Sequence, residues 1–207
     1  MKVLYIVKTN IGAVWAFEQA VKLKERGVEI LAVLPSDTGG MAERYREAGI
    51  PVYGAVVSMP LKQPWKLFSR MRLIKKIVAG YNPDLIHCHF VSDSMMVRLA
   101  LGKKGPKRIF QVLGPLHLEH RLFRKAELLF SNSLDAWACA CKKSGEYYAA
   151  EGISESKIFL CYYGGYGDKS ELYQPSGGIL HSSFGLPPKT KLIGMVSYFY
   201  KPRFYLF

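Results

Sequence analysis

The chain has 207 residues, of which 49% are hydrophobic and 13% aromatic, enough for a substantial core in one large domain or one domain with part of another. No run reaches the roughly 18 apolar residues of a membrane span, and the opening apolar segment is too short for a signal peptide. Composition therefore argues against a membrane-spanning or secreted protein, and we expect a soluble, cytoplasmic one.

The four cysteines support the same compartment, since none shows Cys-x-x-Cys spacing: Cys88, Cys139, Cys141 and Cys161. This pattern favours buried thiols in a reducing environment over disulfides or zinc ligation.

The net charge of +13 is concentrated in one part of the chain. Residues 61–125 carry fourteen Lys and Arg against three Asp and Glu, and so hold +11 of the total. A basic excess confined to one segment predicts a surface that meets something anionic, such as phospholipid, a polyanionic sugar, nucleic acid or phosphate.

Strand and helix patterns alternate through the first half of the chain. Apolar runs predict strands at residues 2–8, 28–34, 51–57, 84–89 and 108–113, and helical spacing predicts helices at residues 13–27, 40–48, 64–79 and 92–101. Strands that alternate with helices imply right-handed crossovers and a doubly wound parallel sheet of the α/β class.

The second half is less regular. Residues 118–130 form a mixed segment, after which a strand is predicted at 136–141, a helix at 142–151 and a strand at 157–161. Gly and Pro then dominate residues 162–190, which we interpret as an interdomain linker. An apolar strand at 192–198 follows. We therefore predict a first domain over residues 1–161, a linker over 162–190, and over 191–207 the first strand of a second domain whose remainder is absent.

His117 is the main candidate for chemistry. It follows the predicted strand at 108–113 and the Gly114-Pro115 turn, which places it just past a strand's carboxyl end. Ligands of open α/β sheets bind outside those ends, so an imidazole there is positioned for catalysis or binding. The alternative is a loop histidine that caps a backbone carbonyl.

The loop after the first strand is a candidate phosphate-binding site. Gly12 permits the backbone to approach a phosphate at the start of the first helix, where N–H groups and the helix dipole favour negative charge. With Asn10 in the same loop, it is the predicted contact for a phosphate or a sugar. A plain turn explains one glycine equally well.

His87 and His89 share one face of the predicted fourth strand, an arrangement that also occurs in metal sites. No third ligand has a convincing place, so we predict no metal and no cofactor. His89, nearest the strand end, is predicted to line the ligand cleft, whereas His87 fits a hydrogen-bonded core residue. Asp93 is either a first-turn helix charge, which we favour, or a ligand contact.

Several motifs, in this order along the chain, resemble family 4 glycosyltransferases of the two-domain GT-B fold. They are the Gly-containing loop Thr9-Asn10-Ile11-Gly12, then Pro83-Asp84-Leu85-Ile86-His87-Cys88-His89, Gly114-Pro115-Leu116-His117, Tyr163-Gly164, and Phe184-Gly185-Leu186-Pro187. The resemblance covers nearly the whole chain and implies that residues 1–161 are a Rossmann-like acceptor-binding domain.

The same resemblance implies a reaction. A GT-B enzyme of this family is expected to be a retaining transferase that needs no bound metal. It would move a sugar from a nucleotide-sugar donor to a glycan or lipid-linked acceptor, in cell-surface polysaccharide synthesis. His117 would contact the transferred sugar or orient the acceptor. The donor's phosphate or sugar would be bound by Gly12 and Asn10, and the candidate acceptor contacts are His89 and Asp93.

The chain also departs from the family pattern. Tyr163-Gly164-Gly165-Tyr166 stands where the family has Asn-Gly-Val-Asp, and Lys201-Pro202 where it usually has Lys-Gly. The donor half, with its Glu-x7-Glu pair, is missing; Glu119 and Glu127 have that spacing, which we interpret as chance. We expect the chain alone to be inactive. Alternatives are a non-catalytic basic module that binds polyanions, without a nucleic-acid motif, and a sugar-nucleotide epimerase of the same fold.

The predicted helix at 64–80 is amphipathic. Its apolar side is predicted to hold Leu67, Phe68, Met71, Ile74 and Val78. Its basic side is predicted to present Lys66, Arg70, Arg72 and Lys76, with Lys62 shortly before the helix. We predict that this basic surface binds the anionic inner face of the cell membrane, where a lipid-linked acceptor would be presented. The alternative is a sheet-covering helix with a merely solvated outer face.

Overall fold

The computed structural model describes residues 1–114, 118, 121–162 and 178–193. The chain divides into two units, Met1–Tyr163 and Gly164–Phe207. The described part of the second unit contains a short helix at Ile179–Ser183, inside the range predicted as linker. The predicted strand at 192–198 lies almost wholly outside the described residues, and the predicted domain boundaries stay predictions.

Within the described residues of the first unit, seven parallel strands form one sheet. They are β1 (Lys2–Ile6), β2 (Glu29–Leu34), β3 (Val52–Gly54), β4 (Leu85–Cys88), β5 (Lys107–Val112), β6 (Asp135–Cys139) and β7 (Ile158–Leu160). Their order is β3-β2-β1-β4-β5-β6-β7. The chain winds outward from β1 to β3, returns to place β4 beside β1, and continues to β7. This confirms the predicted doubly wound, Rossmann-like sheet.

Helices connect these strands. They are α1 (Val14–Glu25), α2 (Met41–Glu47), α3 (Leu67–Tyr81), α4 (Val91–Leu101), α5 (Arg121–Leu129) and α6 (Lys142–Ala150), with short 3-10 turns at Pro64–Lys66 and Glu155–Lys157.

Strand β1 shows why the sheet is buried on both faces. Successive side chains of a strand point to opposite faces, so Val3 and Tyr5 pack in the cluster that includes α1 and α2. Leu4 and Ile6 pack in the cluster that includes α3 and α4. A strand covered on both sides needs apolar residues at every position, which explains the continuous apolar run at the start of the chain.

Two elements differ from the prediction. The strand predicted at 51–57 is confined to β3, a three-residue edge strand that pairs with β2. The mixed segment at 118–130 contains the regular helix α5. Its Leu122 and Leu129 are 74% and 79% exposed, whereas Glu127 is fully buried. Its apolar residues do recur at helical spacing, but on a side that stays partly exposed, while an acidic residue faces inward; the prediction of a mixed segment missed this helix.

The inward face of α3 also differs from the predicted face. Ile74 is buried and Leu67, Met71 and Val78 pack against the same core cluster, as predicted, but Phe68 is 71% exposed. Arg70, predicted to lie on the basic outer surface, instead turns inward, and its guanidinium donates a hydrogen bond to the Ser58 carbonyl. Because a helix turns about 100° per residue, position 70 shares a side with 67 and 74, whereas position 68 does not.

A buried ionic network joins α4, α5 and β6. Arg98 contacts Glu127 Oε1 through Nη1 at 2.5 Å and Asp135 Oδ1 through Nε at 3.1 Å, and all three side chains are buried. Trp137 Nε1 donates to the same Glu127 oxygen at 3.0 Å. Burial alone would lower the pKa of Arg98, but the two carboxylates outweigh it and hold the pKa above its ordinary value. Glu127 thus has a structural role.

Candidate active site

The reversal of winding places the candidate site between β1 and β4. The loop after β1 leads to α1 on one side, and the loop after β4 leads to α4, whose core contacts lie on the opposite face of the sheet. In open α/β sheets, ligands bind at the strands' carboxyl ends where the strand order reverses. Both predicted regions, the Gly12 loop and the histidines of β4, converge at this point.

The loop between β1 and α1 has an unusual backbone. Gly12 and Ala13 both have left-handed conformations, with φ of 74° and 53°. A Cβ at Gly12 would meet open space, so the backbone angle rather than crowding favours glycine. The Ala13 carbonyl accepts the first helical bonds, from the N–H groups of Ala16 and Phe17, and the first turn of α1 carries no acidic side chain. This geometry is compatible with the predicted phosphate contact of Gly12, which stays a prediction.

Asn10 fastens this loop to the start of α2. Its Nδ2 donates to the carbonyls of Thr38 and Gly39, each at 2.9 Å, and its Oδ1 accepts from Ala42 N at 3.0 Å. A Cβ at Gly40 would lie 2.2 Å from the Asn10 carbonyl oxygen, so that position requires glycine. Both polar atoms of the Asn10 side chain are engaged, which gives it a positioning role; the predicted direct contact with a donor stays a prediction.

An aromatic cluster surrounds the histidines of β4. The His87 and His89 ring centroids are 4.3 Å apart, as expected for alternate residues on one face of a strand. The Tyr5 ring lies 4.2 Å from His89, and the Trp15 ring of α1 lies 5.2 Å from it on another side. The cluster therefore combines side chains from β1, α1 and β4.

A chain of polar contacts anchors one side of this cluster. His87 Nε2 donates to Gln111 Oε1 at 3.0 Å, and Gln19 Nε2 approaches the same oxygen at 3.4 Å. The Tyr5 hydroxyl lies 2.8 Å from Gln19 Oε1. His87 is thus the hydrogen-bonded core residue that the sequence predicted. Gln111 and Gln19 were not predicted, although a glutamine within an apolar strand was a visible signal.

His89 differs from His87 in its hydrogen bonding. It is fully buried, and neither of its ring nitrogens has a hydrogen-bond partner among the described residues. Gln111 Nε2 is likewise unpartnered within that part of the chain. Buried polar atoms without partners are rare in folded proteins, and a binding or catalytic role is one reason to retain them. The predicted acceptor contact of His89 stays a prediction.

Both imidazoles are neutral at pH 7. Burial lowers the pKa of His87 to about 4, against the opposing effect of its bond to Gln111. Burial, with the neighbouring His87, holds the pKa of His89 well below its usual range. Neutral rings at this position act through hydrogen bonds, and they are poor proton acceptors at neutral pH.

Asp93 lies in the first turn of α4, as the favoured helix interpretation requires. Its carboxylate is fully buried and accepts a hydrogen bond from the Ser58 hydroxyl. Burial raises the pKa of Asp93 to about 6, although Ser58, Lys8 and Arg70 oppose the shift. In this arrangement Asp93 braces the segment after β3 against α4, so its acceptor contact remains without structural support.

His117 lies outside the described residues. Its neighbour in that segment, Leu118, is buried with Phe110 and Val112 of β5. The described residues contain no group of three or more His, Cys, Asp and Glu side chains able to hold a metal ion. None of the described helices has both the length and the apolar character needed to cross a membrane.

The buried histidines predict a specific pH dependence of stability. The unfolded chain, with a His87 pKa near 6.5, takes up protons between pH 6.5 and 4 that the folded chain does not. The His87 contribution is therefore fully present above pH 6.5 and is lost toward pH 4, by about 3 kcal/mol. In urea unfolding, the stability of the natural chain relative to His87→Gln should fall by this amount as the pH drops. A constant difference would contradict it, and His181→Gln is the control.

Comparisons with known proteins agree with this geometry. The sheet order and the site at its reversal define a Rossmann-like fold of the kind seen in GT-B glycosyltransferases. A sequence model of Glycosyltransferase Family 4 matches residues 12–164, which include Gly12, both histidines of β4 and the sheet from β2 to β7. The chain therefore belongs to Glycosyltransferase Family 4, and the predicted family is confirmed.

Solved structures share the fold at low identity. Anabaena Alr3699/HepE in complex with UDP-glucose has a TM-score of 0.61 and 18% identity, over 89% of this chain and 50% of that one. A glycosyltransferase from Rickettsia africae ESF-5 has a TM-score of 0.60 and 16% identity, over 90% and 50%. A putative UDP-N-acetylglucosamine 2-epimerase from Listeria monocytogenes has a TM-score of 0.55 and 15% identity, over 77% and 44%.

These likenesses show the fold alone. The chain spans about half the length of the solved structures it matches. No curated protein matches the chain.

Proposed function

We propose that this chain is the acceptor-side part of a glycosyltransferase that moves a sugar from a nucleotide-sugar donor to an acceptor. The observation that carries the proposal is the family match over residues 12–164, on a sheet whose reversal point holds the Gly12 loop and the buried His89. The UDP-glucose complex of HepE supports a nucleotide-sugar donor. In this proposal residues 1–161 bind the acceptor, 162–190 form the linker, and 191–207 begin a donor-binding domain.

The chemistry assigns a task to each part of the site. When the sugar leaves the nucleotide, negative charge develops on the departing diphosphate, and N–H groups at a helix start stabilise such charge. The left-handed backbone at Gly12 and Ala13 precedes the start of α1 for this purpose, and Asn10 holds the loop in place. His117 contacts the transferred sugar or orients the acceptor, in a transfer that retains the anomeric configuration.

His89 supplies a neutral hydrogen-bonding group beside the acceptor. Its ring is fixed between Tyr5 and Trp15, while His87 behind it is held by Gln111. A positioned neutral imidazole donates through one nitrogen and accepts through the other, which suits a sugar hydroxyl. Because the ring is fully buried here, this contact requires the surrounding loops to open.

We further propose that the enzyme works at the inner, cytoplasmic face of the cell membrane in polysaccharide synthesis. Lys62, Lys66 and Lys76 are exposed, as a membrane-facing surface requires, and each such cation near an anionic bilayer contributes about 1 kcal/mol. Arg70 is no longer part of this surface, because its side chain bonds to Ser58 inside the fold.

Epimerase activity is the second candidate, because the Listeria structure shares the fold. The family match favours transfer. A purely polyanion-binding module would leave the Gly12 loop and the buried histidines without a purpose.

An assay with two forms of the protein tests the proposal. A form that also carries a donor-binding domain should release UDP or GDP from a sugar nucleotide only when acceptor is present, and should leave a glycosylated product. The 207-residue chain alone should neither transfer sugar nor bind the nucleotide sugars in calorimetric titration at low-micromolar concentration. Interconversion of the donor sugar without an acceptor would instead identify an epimerase. Tight binding of nucleotide sugars by the 207-residue chain would show that the donor site lies within this chain, contrary to the proposal.

A further inference from the structure

An apolar groove lies among the segment at residues 59–67, α4 and α5. Its volume is about 600 Å³, within the range of roughly 300–1,000 Å³ typical of ligand pockets. Every lining residue among those the structure describes is apolar, and the lining includes Met59, Leu61, Leu67, Leu99, Leu122 and Ala126. The groove shares no residue with the cluster around His87 and His89.

Large apolar side chains next to the groove are exposed. Leu61 and Trp65, on one side, are 66% and 71% exposed, and Leu122 on α5 is exposed to a similar extent. Apolar surface of this kind, continuous with a groove, marks a place where a protein contacts an apolar partner. The described part of the lining offers such a partner no hydrogen-bonding side chain, which points to hydrocarbon.

Among residues 59–72, α4 and α5, the exposed charge around the groove has one sign. Exposed cations stand next in sequence to its lining residues: Lys62, Lys66, Arg121 and Lys125. The acidic residues of residues 59–72, α4 and α5 are Asp93 and Glu127, and both are buried and hydrogen-bonded within the fold. An apolar groove with a cationic rim complements a molecule with a hydrocarbon chain and an anionic head. It is a poor match for a second copy of a chain with net charge +13.

The groove adjoins the loop that carries the candidate site. Met59, which lines it, donates its backbone N–H to the Ser92 carbonyl at 3.2 Å, and Ser92 follows His89 by three positions. Met95, on the same side of α4 as the groove, lies two positions after Asp93. A lipid whose hydrocarbon chain occupied the groove would therefore have its head group near the carboxyl end of β4, where His89 lies.

We propose that this groove binds the hydrocarbon chain of a lipid-linked, phosphate-bearing acceptor, an inference that rests on the proposed glycosyl transfer. The chain displaces water from the apolar lining, and the lysines and arginines of the rim contact the phosphate. The groove thus selects acceptors by their lipid anchor, before any sugar is recognised.

Calorimetric titration of the 207-residue chain with alkyl phosphates below their micelle concentrations tests this. Each added methylene strengthens binding up to about fourfold when fully buried. We expect dodecyl phosphate to bind at least tenfold more tightly than octyl phosphate. Dodecyl maltoside, with the same chain and a neutral head, should bind at least tenfold more weakly than dodecyl phosphate. Binding that ignores chain length, or that shows no preference for phosphate, would overturn the proposal.

Variants locate the binding. Ala126→Trp fills the groove from α5 and should weaken dodecyl phosphate binding at least tenfold, whereas Ala79→Trp, at an exposed position of α3, should leave it unchanged. Leu122→Gln changes an exposed side chain that the core does not need, and it should weaken binding even if Ala126→Trp folds poorly. Unchanged affinity in Leu122→Gln would overturn the assignment.

Size-exclusion chromatography of the unliganded chain tests whether a second copy of the chain occupies the groove instead. A dimer that Leu122→Gln dissociates would make the groove an interface between copies and would overturn the lipid assignment. None of these measurements uses a nucleotide sugar. If alkyl phosphates do not bind, the proposed glycosyl transfer is still tested by its own assay. If glycosyl transfer is not observed, the result on alkyl phosphate binding is unaffected.

Discussion

Replacing Arg98 with Ala should lower the free energy of unfolding by about 3–5 kcal/mol, which is a large part of the stability of a typical domain. The change leaves Glu127 and Asp135 buried without the guanidinium that contacts both. A buried carboxylate that loses its cation must either stay charged in a poorly solvated site or take up a proton, and both are costly. The loss exceeds that expected from removing the side chain's packing alone.

Urea unfolding followed by circular dichroism measures the effect. Arg72→Ala is the matched control, because Arg72 is an exposed arginine on α3, and it should change stability by no more than about 0.5 kcal/mol. Adding Glu127→Gln to Arg98→Met should recover part of the loss, because a neutral amide oxygen still accepts from Trp137 Nε1 without an unpaired charge. An Arg98→Ala variant as stable as the Arg72→Ala control would show that the network contributes little.

Replacing His117 with Ala should lower sugar transfer by roughly two to four orders of magnitude in a form of the protein that is active, the range expected for a lost catalytic group. His117 follows Val112, the last residue of β5, by five positions, and β5 lies directly beside β4 in the sheet. The strand order therefore brings the chain toward the same edge as His89. The resemblance to the family implies that this histidine contacts the transferred sugar or the acceptor.

The measurement is the initial rate of nucleotide release with acceptor present, together with the urea midpoint of each variant. His120→Ala provides a control at a neighbouring histidine to which no role is assigned, and its rate should stay within a few-fold of the natural chain. Near-natural turnover in His117→Ala, with an unchanged midpoint, would support the alternative that His117 is a loop histidine without a catalytic role. A shifted midpoint would trace any lost activity to folding.

The sequence by itself determined the fold class and the family. Continuous apolar runs such as Lys2–Ile6 reveal strands buried on both faces, and a strand's neighbours along the chain are enough to show this pattern. The motifs ending at His89 and His117 are likewise local, so their order along the chain identified the family without any contact being known. The helix boundaries were placed within a few residues for the same reason, because a helix's turn and its caps are properties of adjacent residues.

The tertiary structure alone decided which side chains meet. Arg98 bonds to residues 29 and 37 positions away, and Gln19 reaches Gln111 across 92 positions, so no local window contains either contact. The same limit explains the corrections. From the sequence, Arg70 is predicted to be a surface cation, because its partner, the Ser58 carbonyl in the segment after β3, is distant along the chain.

Helix α5 shows the physical reason most directly. Its apolar side chains Leu122, Phe123 and Ala126 recur at helical spacing but line the apolar groove, whereas its buried carboxylate, Glu127, contacts Arg98. The apolar pattern of a helix does not show which surface it lines or which of its polar side chains pairs with a distant residue. The sequence therefore specified the elements and their family, and the partners of α5 became known only when distant parts of the chain were placed side by side.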